Sequence, residues 1–286
     1  MKIIVPATTA NLGSGFDSFG LALDMFLEVT VCGPADEWFI EHQIPGLPHN
    51  ATNLIIQTVC DVAPGTPPHR LKMMSQIPTA RGLGSSSAAI VAGIEIANQL
   101  NQWQLSNQDK LTLAATIEGH PDNVAPAIYG GFTVSGSVAE GYFATTHHFT
   151  EVDLIAVIPP YKLLTKASRQ VLPVDLSFKQ AVAASSIANG LLTAFLTNNI
   201  ELMTKLLECD RWHEPYRLLL VPELEKIRLA KVELGIYGAV LSGAGPTILV
   251  FAPKNQSHQV IQPLQSLLPD SQIKLCHVYQ DGVNVQ

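Results

Sequence analysis

The sequence predicts an α+β protein. β-rich runs and helices alternate along the chain, but not all at the spacing of βαβ units, which argues against a doubly wound sheet. The 286 residues are 47% apolar and only 14% charged, enough to bury a large core in one large domain or two ordinary ones.

In chain order, Lys2–Val5, Leu27–Cys32 and Trp38–Glu41 read as short strands. Asn53–Val62 has helical spacing and opens on asparagine, whose side-chain oxygen caps helices. Arg70–Ser75 reads as a strand leading into a glycine loop, and Ala88–Leu100, small and apolar almost throughout, as a buried helix. Gln108–Glu118 is a predicted helix that ends at Gly119-His120-Pro121, and Gly130–Val134 begins another strand. Asp153–Pro160 reads as a buried strand with a hard stop, so the domain boundary is placed there, giving domains 1–152 and 153–286. Helices are expected over Phe178–Thr197, Ile200–Leu207 and Pro222–Leu234. Strands over Gly238–Leu241 and Thr247–Ala252 flank a turn, Ser242-Gly243-Ala244-Gly245-Pro246, and a helix near Asn255–Leu268 leads to a closing strand, Ile273–Val278.

The formal net charge of −7, with no basic run, argues against a nucleic-acid partner. Cys32, Cys60, Cys209 and Cys276 are scattered and read as thiols in a reducing compartment, with no zinc or disulfide framework. Met1–Pro6 reads as a strand rather than a signal peptide, and no apolar run reaches the roughly 18 residues needed to span a bilayer. The expectation is a cytoplasmic protein without membrane contact.

Residues 78–89, Pro-Thr-Ala-Arg-Gly-Leu-Gly-Ser-Ser-Ser-Ala-Ala, are the most informative stretch. Glycines free the backbone to turn, the serines are expected to cap the following helix, and a helix start offers free N–H groups and a positive dipole end to an anion. The spacing is neither that of a P-loop nor that of a Rossmann fingerprint, so a dehydrogenase reading fails. An N-capped core helix is the bland alternative.

Two further segments complete a pattern. Pro6-Ala7-Thr8-Thr9-Ala10-Asn11-Leu12-Gly13-Ser14-Gly15-Phe16-Asp17 resembles the first motif of the GHMP kinases, Pro78–Ala89 their phosphate loop, and Leu241–Thr247 their third motif. Glu118–Ala127, Ser168–Pro173 and Glu214-Pro215-Tyr216-Arg217 resemble the homoserine kinase branch. The resemblance implies two domains, the first with a left-handed βαβ crossover and the second ferredoxin-like. It implies ATP and Mg²⁺ as cofactors, L-homoserine as substrate, its hydroxyl as phosphoryl acceptor on the route to threonine, and a homodimer. Pro78, Arg81, Gly82, Leu83, Gly84, Ser85, Ser86, Ser87 and Ala88 would hold the nucleotide, with Ser86 and Glu118 on the metal. Arg169 and Arg217 suit a carboxylate; Asn11, Asp17, His120 and Asp122 are the further substrate contacts.

One departure stands out. Many superfamily members use an Asp base beside a Lys, whereas Asn123 and Thr8/Thr9 stand at those places here. Asparagine cannot accept the proton. Asn123 and Asp17 are therefore the catalytic candidates in a direct in-line transfer without an Asp base. A sister kinase for another alcohol and a regulator that has lost catalysis are the rival readings.

Overall fold

The computed structural model describes residues 1–149 and 151–286. The chain runs β1 (Lys2–Asn11), β2 (Gly15–Pro34), β3 (Phe39–Glu41), α1 (Leu54–Val62), β4 (His69–Ser75), α2 (Ser85–Leu100), α3 (Asn107–Glu118), α4 (Val124–Tyr129), β5 (Phe132–Val138), β6 (Gly141–His147) and β7 (Val152–Ile158). It continues through α5 (Thr165–Gln170), α6 (Phe178–Leu196), α7 (Ile200–Leu206), α8 (Glu214–Arg217), α9 (Pro222–Leu229), α10 (Lys231–Leu234), β8 (Gly238–Leu241), β9 (Ile248–Pro253), α11 (Ser257–Leu267), β10 (Gln272–Cys276) and β11 (Asn284–Val285).

Two sheets result. The first has the order β11-β1-β2-β4-β3, with β5 on β2 and β6 on β5. Its one parallel pair, β3 with β4, is joined through α1. The second has the order β10-β7-β9-β8, antiparallel throughout, which is the ferredoxin-like arrangement the resemblance implies. The α+β expectation therefore holds. The division of the chain is less simple than a single cut. After β10 the tail returns to the first sheet, where Leu23 bridges Val278 and β11 pairs with β1.

The glycine loop leads into α2, which is buried over most of its length against α1, α3 and β1. The serines do not cap it. Its N-cap is Gly84 in the left-handed region, with no side-chain bond to the helix start, because the serines lie inside the first turn. The expected helix at 222–234 is broken at Ala230 into α9 and α10. His147 ends β6 opposite Phe132. Aromatic rings join the two halves: Phe195 of α6 meets Phe149 at 4.9 Å and Phe132 of β5 at 5.4 Å, and Phe251 of β9 packs on both Phe149 and Phe195. These edge-on and stacked ring contacts fix the relative placement of the sheets.

One charge lies deep in α2. Glu95 accepts from Asn98 and Gln99, and Lys110 of α3 comes to 2.6 Å. Burial alone would raise its carboxyl, but the hydrogen bonds from Gln99, Lys110 and Asn98 outweigh it and hold the group below the ordinary range. A depressed carboxyl stabilises the fold above its unfolded value and loses that contribution as pH falls through its folded value. Lys110→Met, read by denaturant unfolding, should cost about 3 kcal/mol at neutral pH, because it strands a buried charge. The gap should narrow as pH drops below the carboxylate range, where both proteins carry Glu95 protonated; a gap independent of pH would refute this account.

Candidate active site

A cavity of about 330 Å³ opens between the two halves beside the start of α2. Its floor is the glycine loop. A Cβ on Gly82 would lie 2.3 Å from the Ser242 carbonyl oxygen, and one on Gly84 would lie 1.9 Å from Thr8 Oγ1. Both residues also have positive φ. Only glycine brings the backbone this close to β1 and to the β8–β9 turn. Ser85, Ser86 and Ser87 then present the first turn of α2 to the cavity, where helix N–H groups have no partner within the helix.

Glu118 ends α3, and Gly119, in the left-handed region, turns the chain away from it. The carboxylate accepts from two loop hydroxyls, Ser86 to Oε2 and Ser87 to Oε1, at 2.9 Å each. Ser86 and Glu118, separated in sequence, thus form one oxygen-rich pair beside the loop.

Opposite lies a charged cluster. Asp17, which enters β2 with φ of 54°, takes a bidentate ion pair from Arg169 of α5, at 2.6 and 3.0 Å. Its backbone N–H donates to Asn11 Oδ1, while Asn11 Nδ2 donates to the Gly243 carbonyl. Asp122 Oδ1 receives His120 Nδ1 at 2.6 Å and Asn123 Nδ2 at 3.3 Å. A carboxylate only accepts, so Nδ1 of His120 carries the proton and Asn123 turns its Nδ2 to Asp122. That leaves Asn123 Oδ1 to accept from the Thr8 hydroxyl at 2.9 Å. Asp17, His120 and Asp122 offer ligand atoms within 4.8 Å of one another; Arg169 pairs with Asp17 and the imidazole with Asp122.

Arg217 is 1% exposed. Burial, and then the charge of Arg169, lowers its guanidinium to about 10, still cationic at neutral pH. For His120 burial works against the charged form, but the hydrogen bond and charge of Asp122 outweigh it, so the net shift is upward.

The structure gathers Asn11, Asp17, Arg81, Gly82, Gly84, Ser85, Ser86, Ser87, Glu118, His120, Asp122, Asn123, Arg169 and Arg217 around this cavity. Leu83 and Ala88 instead face the core, and Pro78 lines a neighbouring cleft; these three support the loop without lining its cavity.

Two family models match the chain: GHMP kinases N terminal domain over residues 53–131 and GHMP kinases C terminal over 191–270. The homoserine kinase of Listeria monocytogenes serotype 4a is 51% identical over all of this chain and 99% of its own. That of Enterococcus faecalis is 48% identical over the full length of both. This chain belongs to the homoserine kinases of the GHMP kinase family. A crystal structure of homoserine kinase from Cytophaga hutchinsonii, 26% identical, matches this kinase with a TM-score of 0.87 over 100% of this chain and 97% of that one. The resemblance read from three separated segments is borne out.

Sequence reasoning missed part of the lining. Leu27, Ile44, Leu47, Leu54, Met73 and Ile77 form an apolar arm of the cavity. They come from strands, a helix and a loop that only the fold brings together, and no local pattern marks them. Phe16 was visible within its motif but carried no assigned role; it lies under both arginines, with Cζ of Arg169 and Arg217 at 5.5 and 5.4 Å from its centroid.

The His120 shift is directly measurable. Its imidazole NMR titration should have a midpoint above the ordinary histidine value of about 6.5, and Asp122→Asn should bring it down. A midpoint at or below the ordinary value in the parent would contradict the pairing.

Proposed function

We propose that this kinase transfers the γ-phosphoryl group of ATP to the side-chain hydroxyl of L-homoserine, giving O-phospho-L-homoserine on the route to threonine. The observation that carries the reading is one cavity with a phosphate-type loop on one side and paired Arg169 and Arg217 with Asp17 and Asp122 on the other. Homoserine offers a carboxylate, an ammonium and a hydroxyl. Arginine forks match the carboxylate. The carboxylates suit the ammonium, and although Asp17 is bound by Arg169, a carboxylate has about four acceptor positions and keeps capacity for a further donor.

The loop N–H groups of Gly82–Ser87 are assigned to the nucleotide phosphates. Arg81 Nη1, buried and without an acceptor among the described residues, adds a donor there. The apolar arm suits the flat purine base. Ser86 Oγ and Glu118 Oε2 are hard oxygen donors 2.9 Å apart, a set that fits Mg²⁺. The ion would draw charge from the phosphate oxygens there.

In this reading the homoserine oxygen attacks the γ-phosphorus in line, the bond from phosphorus to the β–γ bridging oxygen breaks, and ADP leaves with that electron pair. Asn123, its Oδ1 held by Thr8, orients an oxygen through its amide and takes no proton. The hydroxyl proton passes to phosphate or solvent. Asp17 and Asn11 hold the acceptor in place. The family resemblance further supports a cytoplasmic homodimer; no helix among the described residues is long and apolar enough to cross a membrane.

A coupled ADP-release assay with MgATP and L-homoserine, mevalonate, galactose or shikimate tests the reading. Turnover should be fastest with homoserine; no preference for it would sink the assignment in favour of a sister kinase, and no turnover at all would favour a regulator. Separately, Arg169→Ala should raise the homoserine KM at least about tenfold while moving the ATP KM little. A parallel rise in both would remove Arg169 from the substrate site.

A further inference from the structure

We propose that His213 is a positioning residue that aims Arg217 at the substrate carboxylate; the role rests on the reading of Arg217 given above. His213 precedes α8, is 0% exposed and has no part in the mechanism so far. Its imidazole stacks on Phe16, with centroids 5.2 Å apart and planes at 23°.

The hydrogen bonds around it have a single consistent direction. Arg217 Nη1 lies 3.0 Å from His213 Nδ1. A guanidinium has no acceptor, so Nδ1 must present its lone pair. The proton then sits on Nε2, which donates to the Gly13 carbonyl at 2.9 Å, with Asp210 Oδ2 at 3.6 Å on the same side. Asp210 is itself fixed, accepting the backbone N–H groups of Trp212, His213 and Glu214. His213 thus links two segments that resemblance ties to the substrate: Gly13 within the first motif and Arg217 on α8.

The consequence falls on the free end of the guanidinium. Nε of Arg217 donates to the Ser168 carbonyl at 3.1 Å, and Nη1 is shared between His213 and the Gly243 carbonyl, at 3.3 Å. No acceptor among the described residues takes Nη2, and Arg217 lines the cavity. Protein groups therefore take Nε and both Nη1 protons and leave the two Nη2 protons for an incoming carboxylate. A neutral imidazole does this without adding a third positive charge beside Arg217 and Arg169, and without a carboxylate that would quench Arg217.

Two substitutions separate positioning from mere packing. His213→Phe keeps a ring on Phe16 but removes the nearer of the two acceptors for Nη1. It should raise the homoserine KM at least about tenfold, the loss expected for a hydrogen bond to a charged group, and leave the ATP KM within about twofold. His213→Gln can accept from Arg217 and donate to Gly13, and should recover most of that loss. A homoserine KM unmoved by His213→Phe, equal shifts for both substrates, or identical behaviour of the two variants would overturn the proposal. Should His213→Phe not fold, ¹⁵N NMR of the parent decides: Nδ1 should be of the unprotonated type and Nε2 of the protonated type, and the reverse would overturn it. Failure of the parent to phosphorylate homoserine would count against the proposed function and, separately, leaves the tautomer result to judge the His213–Arg217 link.

Discussion

The site hangs on the hydroxyl of Ser242. It lies 2.5 Å from the Gly82 carbonyl and 2.8 Å from Thr9 Oγ1, fully buried. A hydroxyl has one proton, so Ser242 donates to the carbonyl and accepts from Thr9. Around it, Gly243 N–H donates to the Ala10 carbonyl, Thr247 N–H to that of Arg81, and Asn11 Nδ2 to that of Gly243. The three glycine- or serine-bearing segments are thereby tied into one knot, although the first and third meet across 232 and 233 positions of sequence. The turn at 242–246 is thus more than a hairpin or an active-site wall. It joins the second sheet to the phosphate loop, and buried polar networks of this kind tolerate little displacement because each unpaired member is costly.

From that knot the charges can be placed. Two guanidiniums lie within 5.5 Å of the Phe16 centroid, an arrangement that repels unless countercharge is near. Asp17 meets Arg169 directly, and Asp122 and Asp210 lie within electrostatic reach of Arg217. The site is nearly balanced before substrate arrives. A zwitterionic amino acid, carrying both signs, adds little net charge to it, whereas a monoanion would unbalance it. Balance of this kind gives selectivity from geometry rather than from a strong overall field.

Much of this was legible because the informative chemistry is local. Gly82 and Gly84 announce close backbone approach, the ends of α2 and α3 follow from apolar spacing and a stop at Gly119, and each arginine sits in a short recognisable segment. The serines misled because their usual role, capping a helix, was filled by backbone alone at Gly84, freeing two hydroxyls for Glu118. The tail was misjudged because β11 is only two residues long and its pairing with β1 spans nearly the whole chain. The apolar arm and His213 were silent for the same reason: their meaning lies in partners contributed by distant segments.

The same neighbourhood bears on the proposed transfer without a carboxylate base. Thr8 is fully buried, wedged between Gly84 and Asn123, with its hydroxyl spent on Asn123 Oδ1. A lysine there would need room that the loop glycine occupies. Without that cation, an Asp at 123 would lie against Asp122, whose Oδ1 is 3.3 Å from Asn123 Nδ2. Two carboxylates at such a distance cannot both stay ionised cheaply, and one would be driven to hold its proton. With Thr8 and Asn123 neutral, Asn123 instead donates to Asp122, which also pairs with His120.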